Sequence, residues 1–397
     1  MATVPSDPMP EGASLVRLEV VRPGGSLATV LELAGEVTVA GVKERLRDAL
    51  GVPLEQQRLA LGLDLLPNDR RLSELQRPTK SEQTVSLTLV CTRAWSAISG
   101  SGDRSLRLWD LSSGLSLREL HGHRSSVRCV AVDWTAQRAV SGGSDHVLLL
   151  WDLERAEALR KLVGHASEVT CVALNWSMRQ ALSGGCDRTL RLWDIEAGVM
   201  LREFWSHRRD VMCVFVDWEG ERALSGACDK KLLVWDLARC CLMRELRGHE
   251  AEVSCAAVDW PSTRALSGSR DGTLRLWDVL RECTLLVLRG HSHWVWCVEV
   301  DWAASLAVSG SGDHTLRQWD LVRGDCLREL KGHSSFVWSI TVDWASLRVL
   351  SAGGDCTLRL WDLGSGRQER ELTGHGSSVR CVAADWGAGA ELGAAAC

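Results

Sequence analysis

The chain of 397 residues contains no tyrosine and only three phenylalanines, against 19 tryptophans. It also has no excess of positive charge, since its formal net charge is −5. A surface that binds nucleic acid needs a basic face, so the charge balance argues against nucleic acid as a partner. Most of the tryptophans recur at fixed intervals, which indicates copied core positions and not a platform on which bases stack.

Long apolar stretches are missing too. The chain has no run of 18 apolar residues, and its first twelve residues, MATVPSDPMPEG, hold neither a basic nor an apolar segment. A membrane-spanning helix needs about 20 mostly apolar residues, and a secretory signal needs a basic start followed by an apolar stretch. We therefore expect no membrane partner and a cytoplasmic or nuclear location.

The cysteines show no metal-binding spacing. The chain has 15 of them but no Cys-x-x-Cys pair. A single periodic slot holds six: Cys129, Cys171, Cys213, Cys255, Cys297 and Cys381. This repetition is typical of small core residues. Because a zinc site needs four converging ligands, we predict reduced thiols, no metal and no cofactor.

One stretch organises the chain. The segment SGSRDGTLRLWDV, at residues 267–279, returns in recognisable form every 42 residues. Its TLRLW part alternates apolar and polar residues, which predicts a strand with one packed face. Ser-Gly-x-x-Asp predicts a tight hairpin, and residues 253–260, VSCAAVDW, predict an innermost strand. A period in the low forties is typical of a radial array of four-stranded sheets. Each copy ends in Trp-Asp, with the tryptophans at Trp109, Trp151, Trp193, Trp235, Trp277, Trp319 and Trp361.

On these residues, positions 91–386 resemble the WD-repeat β-propeller family. The resemblance implies that one His, Ser, Asp and Trp hydrogen-bond to one another in each blade. In the copy described above they are His249, Ser267, Asp271 and Trp277, and five further complete copies carry the same four residue types. A catalytic triad is a single constellation with an oxyanion hole. The repetition therefore indicates architecture, and we predict that the protein is not an enzyme.

The two ends of the repeat region complement each other. The first repeat has Ser99, Asp103 and Trp109 but lacks its histidine, whereas the last fragment has His375 and no following Trp-Asp. We predict that residues 378–386 form the innermost strand of blade one and close a seven-bladed ring. Residues 85–90 could instead supply that strand. Residues 387–397 are then either a flexible tail or the start of an eighth blade.

The sequence pattern before the propeller predicts a second domain. Residues 1–13 read as disordered, and residues 14–90 as strand, strand, helix, strand, strand. Here the chain resembles ubiquitin, through VKERL at 42–46, QQRL at 56–59 and DRRLSEL at 69–75. The resemblance implies a β-grasp fold and a recognition surface that includes Ala60 and Val90. Conjugation needs a free Gly-Gly end, but Val90 runs on into Cys91. Alanine at position 60 leaves little apolar area for a receptor, so docking and a purely solubilising role both remain open.

The family resemblance also implies where a partner binds. Useful positions are the third and fifth residues after each blade histidine, which vary while the frame repeats. In blades six, seven, one and two these positions hold Trp294, Trp296, Phe336, Trp338, Arg380 and Arg128. Exposed aromatics beside arginines are typical of binding hot spots, although the same rings could pack on neighbouring loops. Blades three to five place acidic residues there, which we expect to repel and so orient an acidic ligand: Glu168, Asp210 and Glu252.

Together these features predict a mainly β chain, a seven-bladed WD-repeat β-propeller preceded by a ubiquitin-like β-grasp domain. We expect a non-catalytic interaction scaffold or adaptor, a monomer within larger complexes. Its expected partners are proteins or peptides, acidic or phosphorylated, held by the propeller while the ubiquitin-like domain docks to other machinery. One alternative is a ribosome-assembly factor resembling Notchless, by domain order alone. Another is a substrate receptor of a ubiquitin ligase, although the arginine usual three residues after the repeat tryptophan is absent.

Overall fold

The computed structural model describes residues 15–21, 27–34, 37–50, 57–61, 64–65, 84–91 and 96–386. The chain divides into two units, Met1–Ala94 and Trp95–Cys397. The segments 1–13 and 387–397, predicted to be disordered and flexible, lie outside the described residues. Within the described part of the chain, no helix is long and apolar enough to cross a membrane.

The described residues of the first unit form one helix and five strands. They are β1 (Leu15–Val21), β2 (Leu27–Ala34), α1 (Val39–Leu50), β3 (Gln57–Leu61), β4 (Asp64–Leu65) and β5 (Thr84–Cys91). The strands form one sheet in the order β2-β1-β5-β3-β4, with β1 and β5 parallel. The ubiquitin-like β-grasp fold stays a prediction, because residues 51–56, 62–63 and 66–83 lie outside the described residues.

Helix α1 begins where its sequence predicts. Thr38 acts as the N-cap, because its Oγ1 accepts a 3.4 Å hydrogen bond from the Gly41 N–H. Val39, Val42 and Leu46 are fully buried, as expected for residues spaced along one helical face. The helix therefore packs through the stripe that its apolar spacing defines.

In the second unit, residues 96–386 contain 28 strands. The first three are β6 (Ser96–Ser101), β7 (Ser105–Asp110) and β8 (Leu115–His121). Next come β9 (Val127–Asp133), β10 (Arg138–Gly143), β11 (Val147–Asp152), β12 (Glu157–Val163), β13 (Val169–Asn175), β14 (Gln180–Gly185), β15 (Thr189–Asp194) and β16 (Val199–Trp205). They are followed by β17 (Val211–Asp217), β18 (Arg222–Ala227), β19 (Lys231–Asp236), β20 (Cys241–Arg247), β21 (Val253–Asp259), β22 (Arg264–Ser269), β23 (Thr273–Asp278) and β24 (Cys283–Arg289). The last are β25 (Val295–Asp301), β26 (Leu306–Ser311), β27 (Thr315–Asp320), β28 (Cys326–Lys331), β29 (Val337–Asp343), β30 (Arg348–Gly353), β31 (Leu358–Asp362), β32 (Arg367–Leu372) and β33 (Val379–Asp385).

These strands form seven antiparallel four-stranded sheets, which are the blades of a propeller. Each consecutive group of four from β9 to β32 makes one blade, numbered two to seven, and blade one has the order β33-β6-β7-β8. The first strand of every blade contacts the first strands of both neighbouring blades, and β33 contacts β9. The ring is therefore closed, and the predicted mainly β, seven-bladed propeller is confirmed.

Both ends of the propeller meet in blade one. Strand β33 pairs with β6 so that Val382 lies opposite Ser99. Strand β5, which includes the competing segment 85–90, pairs instead with β1 and β3 in the first unit. Among the described residues, β33 thus pairs only within blade one and β5 only within the sheet of the first unit.

The core lies between adjacent blades. The tryptophan of each Trp-Asp pair is at most 2% exposed, and it packs against the preceding blade. For example, Trp319 of blade six shares an apolar cluster with Leu266 and Leu274 of blade five. Gly268 shows how tight this packing is, because a Cβ there would lie 2.6 Å from both Cys255 Sγ and a methyl of Val295. The repeated cysteines are accordingly small, buried core residues.

Candidate functional site

A cavity of about 790 Å³ opens on the axis of the ring. It lies on the axis because all seven blades contribute to its lining. The cavity is lined by residues at the start of the innermost strand of each blade. In three blades, residues of the turn that follows the second strand also contribute. The lining residues are Arg128, Thr170, Cys186, Arg188, Arg208, Arg209, Asp210, Met212, Cys228, Glu252, Ser254, Arg270, Trp296, Trp338 and Arg380.

A hydrogen-bonded tetrad in each blade fixes the loops that lead to the cavity. In blade five, His249 Nε2 lies 2.7 Å from Ser267 Oγ, which also accepts a 2.8 Å bond from Trp277 Nε1–H. On the other side of the imidazole, His249 Nδ1 lies 2.8 Å from Asp271 Oδ2. The network is consistent with a neutral imidazole whose Nδ1–H donates to the carboxylate and whose Nε2 accepts from the serine.

The tetrad also sets the protonation of its members. Burial lowers the pKa of His249, and this effect outweighs the opposing influence of Asp271. Burial alone would raise the pKa of Asp271, but hydrogen bonds from His249, Thr273 and the Glu250 N–H hold it well below its usual range. The pair is therefore a neutral histidine beside a carboxylate at neutral pH.

Blade one builds the same tetrad from the two ends of the propeller. His375 Nε2 lies 2.7 Å from Ser99 Oγ, and Trp109 Nε1–H donates to that oxygen at 2.8 Å. His375 Nδ1 lies 2.8 Å from Asp103 Oδ2. Every tetrad serine is fully buried, so none of these hydroxyls is placed to attack a substrate.

The predicted aromatic residues form one cluster between blades six and seven. The ring centroids of Trp294 and Trp296 are 5.6 Å apart, those of Trp296 and Trp338 are 4.4 Å apart, and those of Phe336 and Trp338 are 5.6 Å apart. The sequence leaves both exposure and packing open for these rings, and the structure shows both. Trp294 is 37% exposed but Trp296 only 9%, because neighbouring rings cover it. Trp296 and Trp338 line the cavity, whereas Trp294 and Phe336 lie outside its lining.

The two predicted arginines have different surroundings. Arg380 lies over the Trp338 ring, 4.1 Å from its centroid, and burial together with nearby Arg128 lowers the pKa of its guanidinium. Arg128 instead makes an ion pair with Glu168 of the next blade, and its Nε–H donates to Ser144 Oγ at 3.1 Å. Glu168 therefore neutralises Arg128 and does not simply repel an acidic ligand, as the sequence had suggested.

Four arginines of the cavity were not predicted. Arg270 lies 4.9 Å over Trp294 and 5.0 Å over Trp296. Its sequence signal was available, since this turn position holds only small residues in the other blades: Gly102, Ser144, Cys186, Cys228, Gly312 and Gly354. The others are Arg188, Arg208 and Arg209. Six arginines and two carboxylates thus line the cavity, which makes its surface strongly positive.

Two thiols lie in the acidic part of the wall. Burial, reinforced by Asp210 and Glu168, raises the pKa of the Cys186 thiol to about 12. Burial likewise raises the pKa of Cys228 to about 11, against the opposing influence of Arg270. Both thiols therefore stay protonated at neutral pH. Among the residues that the structure describes, no group of three or more His, Cys, Asp and Glu side chains is arranged to hold a metal ion.

The predicted ubiquitin-like surface lies in the first unit. Ala60 in β3 pairs with Thr88, and Val90 in β5 pairs with Arg58. Their backbones thus lie on adjacent strands, while their side chains are outside the described part of the structure.

Comparison with known families agrees with the geometry of the second unit. The family described as WD domain, G-beta repeat matches residues 114–152, 156–194, 198–236, 240–278, 282–320 and 324–362. These segments cover more than half of the chain. The protein belongs to the WD40 repeat family. A search of curated proteins gave no match to the chain.

Each WD40 repeat straddles two blades. Residues 240–278, for example, contain β20, the outer strand of blade four, and the three inner strands of blade five. The first matched segment contains β8, the outer strand of blade one, whereas the other three strands of that blade, β33, β6 and β7, lie outside the six matched segments. WD40 propellers generally act as protein-interaction scaffolds that bind proteins or peptides and are typically not catalytic.

Proposed function

We propose that the protein is a non-catalytic adaptor whose propeller holds an acidic segment of a partner protein in the axial cavity. The observation that carries the proposal is the arginine-rich lining, which interrupts an otherwise repeated frame. Asp103, Ser99, His375 and their counterparts recur in every blade, but the cavity residues differ from blade to blade. A surface that varies on a constant scaffold is where specificity is expected.

Charge supports an acidic partner. Arg188, Arg208 and Arg209 lie on the blade-three and blade-four side, beside Asp210. Guanidinium groups form bidentate bonds with carboxylates and phosphates, and a positive cavity raises the association rate of an acidic segment. Asp210 and Glu252 would repel the same segment locally and so orient it.

The role of the first unit belongs to the same proposal. A ubiquitin-like domain there would dock the captured partner to other machinery, in the cytoplasm or the nucleus, with one copy of the chain in each complex. Domain order is what supports the ribosome-assembly alternative, and no observation in the cavity favours it or the ligase-receptor alternative.

The test is partner capture from the source cell's extract, quantified by mass spectrometry. Arg209 is exposed and lines the cavity, so Arg209→Glu should reduce capture of a discrete set of proteins several-fold. Asp210→Asn should increase capture of that set, because it removes a repelling charge. Arg281→Glu is the matched control, since Arg281 is exposed and pairs with Asp278 outside the cavity. Equal capture by all variants would contradict the proposal.

A further inference from the structure

Four cavity side chains form a continuous row, which we name the Arg–Trp wall: Arg270, Trp296, Trp338 and Arg380. The two rings at its centre are 4.4 Å apart. Arg270 covers Trp296 at 5.0 Å from one end, and Arg380 covers Trp338 at 4.1 Å from the other. The row runs from the turn of blade five, through blades six and seven, to the innermost strand of blade one.

Every member of the Arg–Trp wall has a buried N–H without an acceptor among the described residues. The nitrogens are Arg270 Nε, Trp296 Nε1, Trp338 Nε1 and Arg380 Nε. Buried donors in native proteins are nearly always paired, and the tetrad tryptophans follow that rule, as Trp277 does with Ser267 at 2.8 Å. Trp296 is more than nine-tenths buried. Four unpaired donors on one wall mark a place for a group rich in acceptors.

The wall also carries uncompensated charge. Arg128 is neutralised by Glu168, but within the described residues neither Arg270 nor Arg380 takes part in an ion pair. Two arginines and two tryptophans with unpaired N–H groups therefore line the same cavity. A carboxylate has two acceptor oxygens and one negative charge, whereas a phosphate monoester has three terminal oxygens and nearly two charges at neutral pH. Phosphate therefore offers more acceptor oxygens than a carboxylate, and its charge balances the two guanidinium groups.

The ring faces are not free for an apolar ligand. Arg380 and Trp296 both pack on Trp338, and Arg270 packs on Trp296. An apolar anchor would have to displace these contacts, whereas an acceptor group at the N–H edges would leave the ring faces covered. The two tryptophans therefore supply hydrogen-bond donors whose rings are held in place by cation–π contacts.

We infer that the Arg–Trp wall binds a doubly charged phosphate group. The inference rests on the proposed function, because the phosphate would be presented by the segment that the cavity holds. A phosphorylated side chain and a small free phosphate compound offer the same chemistry to the wall.

The first experiment is isothermal titration of the full chain with inorganic phosphate and pyrophosphate, with acetate and succinate as controls at equal ionic strength. Phosphate should bind at one site and the carboxylates at least tenfold more weakly. Affinity for inorganic phosphate should fall as the pH drops through its second pKa, because the ion then loses its second charge. Equal binding of carboxylates, or no phosphate binding, would overturn the inference.

The decisive variants keep the rings and remove the donors. Trp296→Phe combined with Trp338→Phe should weaken phosphate binding about tenfold or more, since each lost bond to a charged group costs roughly that much. Arg380→Lys keeps the positive charge but loses the paired N–H donors of the guanidinium group, so it should also weaken binding. Arg281→Lys is the matched control and should leave binding unchanged. An unchanged affinity in the folded Trp-to-Phe variant would show that the indole donors are not the site.

Partner capture separates the two possible sources and the two proposals. Loss of capture after phosphatase treatment of the extract identifies a phosphorylated side chain, whereas phosphate binding together with capture that this treatment leaves unchanged identifies a small free compound. If the Trp-to-Phe variant captures partners normally and binds no less phosphate, the wall inference fails and the adaptor proposal stands. If phosphate binds but Arg209→Glu changes no capture, the adaptor proposal fails and the phosphate site stands.

Discussion

His375 Nδ1 lies 2.8 Å from Asp103 Oδ2, although the two residues are 272 positions apart in the chain. The same imidazole bonds Ser99 through Nε2, so one side chain near the end of the chain completes the tetrad of blade one. The contact converts an array of repeats into a ring, because it fixes β33 beside β6. A closed ring leaves no unpaired inner strand at either end.

His375→Ala should therefore destabilise the propeller by about 2–3 kcal/mol. It removes the hydrogen bonds of His375 to Ser99 and Asp103 and leaves the Ser99 hydroxyl without its histidine acceptor. The measurement is urea unfolding followed by tryptophan fluorescence. His121→Ala is the control, since the His121 side chain is exposed and its Nε2 lies 3.5 Å from Glu119 Oε1 on the surface. Equal losses in both variants would mean that the ring closure carries no special stability.

The tetrads were predictable because the repeat fixes relative positions. Each histidine precedes its serine by 18 residues and each tryptophan follows that serine by 10, as for His249, Ser267 and Trp277. One blade therefore specifies the others, and the missing histidine of the first repeat points to His375. Regular spacing determines what lies within a blade.

The cavity was harder to predict because its contacts cross between blades. Arg128 meets Glu168 only where the ring's curvature brings two loops 40 residues apart together, and Arg270 reaches Trp294 and Trp296 in the same way. Neither the burial of Trp296 nor the pairing of Arg128 follows from spacing along one strand. The ubiquitin-like recognition surface at Ala60 and Val90 stays a prediction.

Acid should destabilise the protein through the tetrads. Burial lowers the pKa of His249 and His375 in the folded state from 6.5, so the unfolded chain binds protons more readily as the pH falls through that value. The pKa of Asp103 and Asp271 is also lowered in the folded state, which adds a further loss below about pH 4. The urea midpoint should thus fall from pH 6.5 downwards. A midpoint that rises between pH 6.5 and 4 would contradict this assignment.

Glu299 should have the opposite effect on the pH dependence of stability. It occupies a slot on the innermost strand that holds Ala131, Ala173, Phe215, Ala257, Thr341 and Ala383 in the other blades. Glu299 is partly exposed and lies opposite Val308, and desolvation raises its pKa to about 8. Because the folded state holds this proton more tightly than the unfolded chain, its stabilisation is complete at low pH and is lost as the pH rises through about 8.

Glu299→Gln should therefore stabilise the protein at pH 9 by on the order of 2 kcal/mol and have little effect at pH 5. Urea unfolding at both pH values measures the difference. Glu282→Gln is the control, because Glu282 lies on the surface beside Arg244. The prediction fails if the gain is the same at both pH values, since a protonated and an ionised Glu299 would then be equally well tolerated.

The cysteines should divide into two reactivity classes. Cys186 and Cys228 line the cavity, but their pKa values are raised to about 12 and about 11, so neither forms the thiolate that attacks an alkylating reagent. Cys240, Cys241, Cys283 and Cys326 are exposed. Iodoacetamide at pH 8 should label these four within minutes and leave the cavity thiols unmodified, as read by peptide mass spectrometry. Labelling in urea is the control, since unfolding removes the burial that raises both pKa values and should make all six react alike. Rapid labelling of Cys186 in the folded protein would contradict the raised pKa that burial, Asp210 and Glu168 give this thiol.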